Sequence, residues 1–187
     1  MTSTTPACPN AAEPQSPEAS GWIRRFAGLI PAGGAVLDLA CGGGRHSRLL
    51  LQLGHPVTAV DRDLTRLGGL DSHDDFSAQC HDLEDGSAFP FSAGSFAGVV
   101  VTNYLYRPII ADIVRAVAPG GILLYETFAQ GNERFGRPSN PDFLLAPGEL
   151  LDAAAGQLRV LAYEDLVVER PKPAAVQRIC ARRELLA

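Results

Sequence analysis

AVLDLACGGGRHSRLLLQLGHPVTAVD, residues 35–61, sets the reading of the chain. "AVLDLA" (35–40) is an apolar run of strand length that ends in three consecutive glycines, Gly42, Gly43 and Gly44. "RHSRLLLQLG" (45–54) follows, with Leu49, Leu50 and Leu53 at helical spacing and Gly54 and Pro56 as stop signals. "PVTAVD" (56–61) is a second apolar strand. Two near-continuous apolar strands joined by a helix form one unit of a parallel sheet, buried on both faces.

The same alternation continues downstream. "DLTRLGGL" (63–70) allows only a short helix, because two adjacent glycines weaken it. "FSAQCHD" (76–82) is a weak third strand, and "FAGVVVTNYL" (96–105), with three successive valines, a strong fourth. "PIIADIVRAVAPGG" (108–121) reads as a helix with Pro at its start and Gly beyond its end. "ILLYETFA" (122–129) is a fifth strand, and "LLAPGELLDAAAG" (144–156) a further helix. "LRVLAYEDLVVE" and "AAVQRICARRE" are two closing strands turning at "RPKP", the last expected to be antiparallel. The predicted fold is α/β, a doubly wound, mostly parallel seven-stranded sheet. "GWIRRFAGLIPAGG" (21–34) is predicted to be a short helix docking ahead of the first strand. Residues 1–20, with four prolines, are expected to form a flexible tail before a single domain at 21–187.

Composition narrows the function. The chain has 187 residues, 46% hydrophobic and 20% charged, a net charge of −5 and a pI near 5.3. That charge gives no general attraction to a phosphate backbone, so no nucleic-acid partner is expected. No run approaches the ~20 apolar residues of a membrane helix, so no membrane association is expected either. The basic side is fifteen arginines and one lysine, Lys172, which lies in "RPKP" and far from the glycine loop. Schiff-base and phosphate-loop lysine chemistry are thereby disfavoured. Cys8, Cys41, Cys80 and Cys180 show neither zinc-ligand nor disulfide spacing, and His46, His55, His73 and His81 form no metal pattern. No metal is expected. Free thiols and the lack of a signal sequence make a cytoplasmic location the expectation.

Ligands of doubly wound sheets bind at the carboxyl ends of the strands. A nicotinamide fingerprint starting at Gly42 and Gly44 needs a glycine at 47, where this chain has Ser47. Asp38, just before the loop, suits an ammonium better than a pyrophosphate. Asp61 closes the second strand, where a carboxylate can accept from both ribose hydroxyls. Asp82, in "HDLED", stands where an adenine amino group could be met. Plainer readings stay open. Asp38 can cap the following helix, "HDLED" can be a solvated acidic loop, Cys41 a turn filler, and Tyr104 and Tyr106 plain sheet-end aromatics.

"VLDLACGGGRH", Asp61 and "APGGILLYE" together resemble the class I S-adenosylmethionine (SAM) dependent methyltransferases, over residues ~36–128. "GGGRHSRLLLQLGHPVTAVD" and the chain's size are most similar to the small bacterial group that includes the tellurite-resistance and thiopurine enzymes. The resemblance implies SAM as methyl donor and S-adenosylhomocysteine (SAH) as product. It places Asp38 at the amino-acid end of SAM, directly or through water, Gly42 and Gly44 along the cofactor backbone and Asp61 at the ribose, with Ala40, Cys41, His46 and Arg62 among the further cofactor-binding residues. Asp82 and Leu83 then frame the adenine, and Asn103 and Tyr104 stand beside the methyl group.

The acceptor is expected to be a small molecule, such as a thiol, selenium or tellurium anion, because no catalytic dyad is visible and no recognition domain is appended. "TNYLYRP" replaces the Asn/Asp-Pro-Pro-aromatic motif of nucleic-acid amino methyltransferases. The stretch 129–147 is too rich in Gly and Pro for helix and is expected to fold as a lid. Tyr104, Tyr106, Arg107, Arg134 and Phe135 are the substrate candidates, the arginines joined by Arg137 as a positive rim. The competing readings are a SAM-binding module without turnover and a nucleotide-dependent oxidoreductase.

Overall fold

The computed structural model describes residues 18–185 apart from Pro171, so most of the expected tail (1–17) lies outside the described residues. Seven strands form one sheet: β1 Val36–Leu39, β2 Val57–Asp61, β3 Phe76–Cys80, β4 Phe96–Thr102, β5 Val117–Phe128, β6 Arg159–Val168 and β7 Ala174–Arg182. Their spatial order is β3-β2-β1-β4-β5-β7-β6. The first five are parallel, and β7 runs antiparallel between β5 and β6. Every residue of β1 is buried, as the apolar run required.

Four helices cover the two faces: α1 Gly21–Phe26, α2 Arg45–Gln52, α3 Ile110–Ala116 and α4 Glu149–Ala154. Trp22, Ile23, Leu50 and Leu51 of α1 and α2 close one face over Val36, Val100 and Leu124. Ile113, Val114 and Leu150 of α3 and α4 close the other over Leu37, Val99 and Leu123. Because α2 leads from β1 to one side and the chain later returns as β4 on the other, strand order reverses between β1 and β4. That is the switch point at which such sheets bind ligands.

Three local expectations are corrected. The helix expected over 108–121 ends at Ala116, and "VAPGG" enters β5 instead. There the pairing of β4 with β5 slips, from Phe96 opposite Val117 to Gly98 opposite Ile122. The extra residues bulge at Gly120 (φ +77°), a conformation that suits a residue without Cβ. The short helix expected at 63–70 is absent, and only a 3-10 turn, Leu70–Ser72, follows Gly69. The segment 21–34 is α1 plus one 3-10 turn and does not continue to Gly34.

Gly121 stands at the slip. A Cβ there lies 2.8 Å from the Ala118 carbonyl, 2.9 Å from that of Ala97 and 3.1 Å from that of Phe96. These are backbone atoms of a central strand and its bulge, so they cannot swing aside. Gly121→Ala is therefore expected to cost ~1–3 kcal/mol of stability, read as a lower urea midpoint. An unchanged midpoint means the bulge can relax.

Candidate functional site

The site begins where β1 stops. Ala40 (φ +53°) and Asn103 (φ +54°), at the ends of β1 and β4, are the positive-φ residues other than glycine among those described. An alanine there costs energy that an asparagine tolerates better. Gly42 and Gly44 continue the turn with φ of +55° and +71°. A Cβ on Gly44 meets Leu70 Cδ1 at 2.5 Å and Leu67 Cδ2 at 3.0 Å, so the loop is packed against the 62–70 segment. Arg48 fastens the two together by donating to the carbonyls of Gly43, Leu67 and Gly68.

Asp61 supports the loop from β2. One carboxylate oxygen accepts the Gly42 N–H at 2.8 Å and the other the Asp63 N–H at 3.0 Å. The carboxylate also lines a cavity of about 580 Å³ above the ends of β1, β2 and β4. Ala40, Cys41, Gly42, Arg62, Asp82, Leu83, Asn103 and Tyr104 line it as well, so most of the expected cofactor set is brought together. Burial pushes the Cys41 thiol up to about 12, which leaves it protonated and unfit as a nucleophile. The buried Tyr104 hydroxyl has no hydrogen-bond partner among the described residues. Burial and the Glu84 and Asp82 carboxylates push its pKa up, so the hydroxyl stays protonated.

Asp38 and His46 act from behind the loop. Asp38 is 1% exposed and accepts the Ser47 hydroxyl at 2.6 Å. It is absent from the cavity wall, which matches the helix-capping reading. Desolvation raises its pKa to about 6 against the weaker opposing pull of Ser47. Ser47, where a nicotinamide site needs glycine, is thus the partner of Asp38. His46 is also buried, and desolvation lowers its pKa to about 3. As a neutral ring it accepts the Ser20 N–H at Nε2 (3.2 Å), which leaves Nδ1–H for the Thr102 hydroxyl at 3.2 Å. Ser20 in turn donates its hydroxyl to Glu126 at 2.8 Å, which pins the start of α1 over the end of β5.

The substrate candidates separate. Tyr104 lines the cavity, whereas Tyr106 packs against the core. The Arg107 guanidinium is taken up by Glu149 (2.7 Å) and the carbonyls of Asp142 and Leu144, so it fastens the 129–147 loop and forms no rim. Arg134 reaches back to the Gly131 carbonyl and stacks at 5.8 Å on Phe135, away from the cavity. Arg137 is likewise outside its lining. The loop reaches the site through Phe143 instead. Arg45 and Arg66 also line the cavity and were missed. For Arg45 a signal existed, since a cation in the first turn of a helix opposes the helix dipole and needs another reason to be there.

The comparisons with known proteins now fall into place. Residues 36–121 match the family described as "Methyltransferase domain". A ubiquinone biosynthesis O-methyltransferase from Xanthomonas axonopodis pv. citri is 38% identical over 109 residues, which take in 53% of this chain and 45% of that protein. The matched stretch, less than half of the chain, is similar to a methyltransferase domain. The chain's fold is shared with TehB from Haemophilus influenzae (TM-score 0.70, 21% identity, 89% of this chain and 63% of that one). It is shared too with a Burkholderia thailandensis 1,6-didemethyltoxoflavin N1-methyltransferase solved with its substrate and SAH (TM-score 0.62, 18% identity, 88% and 79%). The curated relative is thus matched over less than half its length. Among the described residues no helix is long and apolar enough to cross a membrane, and no His, Cys, Asp and Glu cluster could hold a metal.

The residues around the cavity fit SAM on their own chemistry. The glycine turn leaves room for close approach, and Asp61 offers a carboxylate to a ribose. Asp61→Ala is expected to weaken SAH by roughly 10- to 100-fold in calorimetry with the fold retained; an unchanged affinity removes Asp61 from the ribose.

Asp38 yields a pH signature. Its folded pKa lies above its unfolded one, so its stabilising contribution is full below pH ~4 and is lost as pH rises through about 6. Asp38→Asn removes that loss. The stability difference between variant and wild type should move in the variant's favour from pH 4 to pH 7 in urea titrations. A constant difference across that range excludes the shifted carboxyl.

Proposed function

We propose that the chain binds SAM in the cavity above β1, β2 and β4 and transfers its methyl group to a small-molecule acceptor. The observation that carries this is the Asp61 carboxylate, held by the glycine turn while it lines a cavity bounded by Asp82, Leu83, Asn103 and Tyr104. The similarity to a ubiquinone biosynthesis O-methyltransferase and the methyltransferase fold support it. SAM supplies a methyl group on a sulfonium, a good leaving group. What the protein adds is alignment, which can provide ~7–11 kcal/mol of the barrier. Asp61 and the turn hold the donor, the neutral His46 and Ser20 hold the floor, and Phe143 partly covers the opening.

The acceptor we infer is one that reacts as an anion. Next to the first cavity lies a second, and the two share only Arg45 and Asn103 among their lining residues. Neither is a general base, and the carboxylate next to them, Glu126, is already taken up by the Ser20 hydroxyl and the Arg178 guanidinium, so a neutral hydroxyl meets no free base there. Thiolates, selenides and tellurides meet this requirement, and so do oxygen acceptors already ionised, such as carboxylates or phenolates.

The test is SAH formation from SAM across thiol, selenium, tellurium, phenol and carboxylic acid acceptors, with kcat/KM followed against pH. Ionisable acceptors should be turned over, with a profile whose rising limb follows each acceptor's own pKa. A common limb for all acceptors means an enzyme base. SAH binding without turnover of any acceptor favours a silent module.

A further inference from the structure

The second cavity, of about 810 Å³, lies on the same edge of the sheet, beyond β4. Because β6 runs with β5 and β7 against it, the end of β6 and the start of β7 reach this edge beside the end of β5. The start of α1, pinned by Ser20, closes the remaining side. Apolar surface comes from Phe128, Val168, Ala174 and Val176. Trp22 backs it, with the Arg178 guanidinium stacked on its ring at 4.9 Å.

The charges are unequal. Arg25, Arg45, Arg170, Lys172 and Arg178 line the cavity against Glu18 and Glu126. Arg178 is neutralised by Glu126 and Glu164. Arg25 lies 3.8 Å from Glu164. Among the described residues, Arg45, Arg170 and Lys172 have no carboxylate within 4 Å. In a chain whose net charge is −5, this is a local reversal of sign.

We propose that this second cavity is the acceptor site and that it takes an amphipathic anion. The apolar body lies over Phe128, Val168 and Val176, and an anionic group meets Arg170 and Lys172 at the rim. The reacting end faces Asn103. This rests on the methyltransferase reading for its role, while the binding chemistry rests on the cavity alone. It moves the acceptor from the 129–147 loop, whose arginines line neither cavity, to the β6–β7 turn. The lone lysine of the chain then has a task as a rim charge.

Two probes that differ by one charge test it: 8-anilinonaphthalene-1-sulfonate and its uncharged parent N-phenyl-1-naphthylamine. Trp22 is the only tryptophan and lines this cavity, so quenching of its fluorescence reports binding, which competition with SAH and the rim variants then locate. The sulfonate is expected to quench Trp22 with SAH present or absent, and the neutral parent to bind at least tenfold more weakly. Arg170→Gln with Lys172→Gln, both exposed, should weaken the sulfonate by roughly tenfold and leave SAH affinity unchanged. Equal binding of the two probes, sulfonate binding untouched in the double variant, or displacement of the sulfonate by SAH overturns the proposal. A silent SAH titration alongside the expected probe behaviour instead overturns the cofactor reading and leaves an anion site without a methyl donor.

Discussion

Everything at the ligand edge depends on how the backbone leaves β1. Within five residues, Ala40, Gly42 and Gly44 all turn through positive φ, and a Cβ on Gly44 would push the Leu67 and Leu70 methyls aside. Such a turn is held by hydrogen bonds, since it has little apolar surface of its own. Asp61 accepts the Gly42 N–H from above, Arg48 ties the loop to its flank, and Asp38 grips Ser47 from below. The arrangement fixes where α2 starts, and through His46 it also fixes Ser20 and the first helix. A carboxylate near each end of the turn therefore shapes the cavity even where only one of them faces it.

The architecture was legible because its signals are periodic and local. Near-continuous apolar runs in β1 and β4 require burial on both faces, and that requirement imposes helices on each side. What escaped was set by contacts between distant residues. "VAPGG" satisfies every local rule for a helix end, yet pairing with β4 draws it into the sheet. "DLTRLGGL" has helical spacing, but its main partners are the glycine loop and Arg48.

The site divides along the same line. Asp61, Asp82 and Leu83 were readable because a strand's end in a parallel sheet faces the ligand edge wherever the strand lies in sequence. Arg107 and Arg134 were misjudged as a rim because charge in a loop says nothing about which carbonyls or carboxylates consume it. Arg107 meets Glu149, 42 positions away, and no spacing rule announces that pair. The cations without a carboxylate partner sit instead at Arg45 and on the β6–β7 turn, beyond the stretch that the motif covers.

That difference bears on how such a domain comes to differ from its relatives. The proposed donor half is built mainly from residues 36–104, within the stretch that matches the methyltransferase family. The second cavity draws mainly on α1, the end of β5 and the β6–β7 turn, which lie largely outside it. Substitutions there leave the glycine turn and Asp61 untouched, because the two cavities share only Arg45 and Asn103. Asn103 holds its left-handed backbone at the end of β4, with its N–H on the Glu126 carbonyl of β5. It thus joins the strand that floors one cavity to the strand that floors the other. A change at Asn103 acts on both cavities at once, whereas a change at the β6–β7 turn reaches the second, proposed acceptor cavity alone.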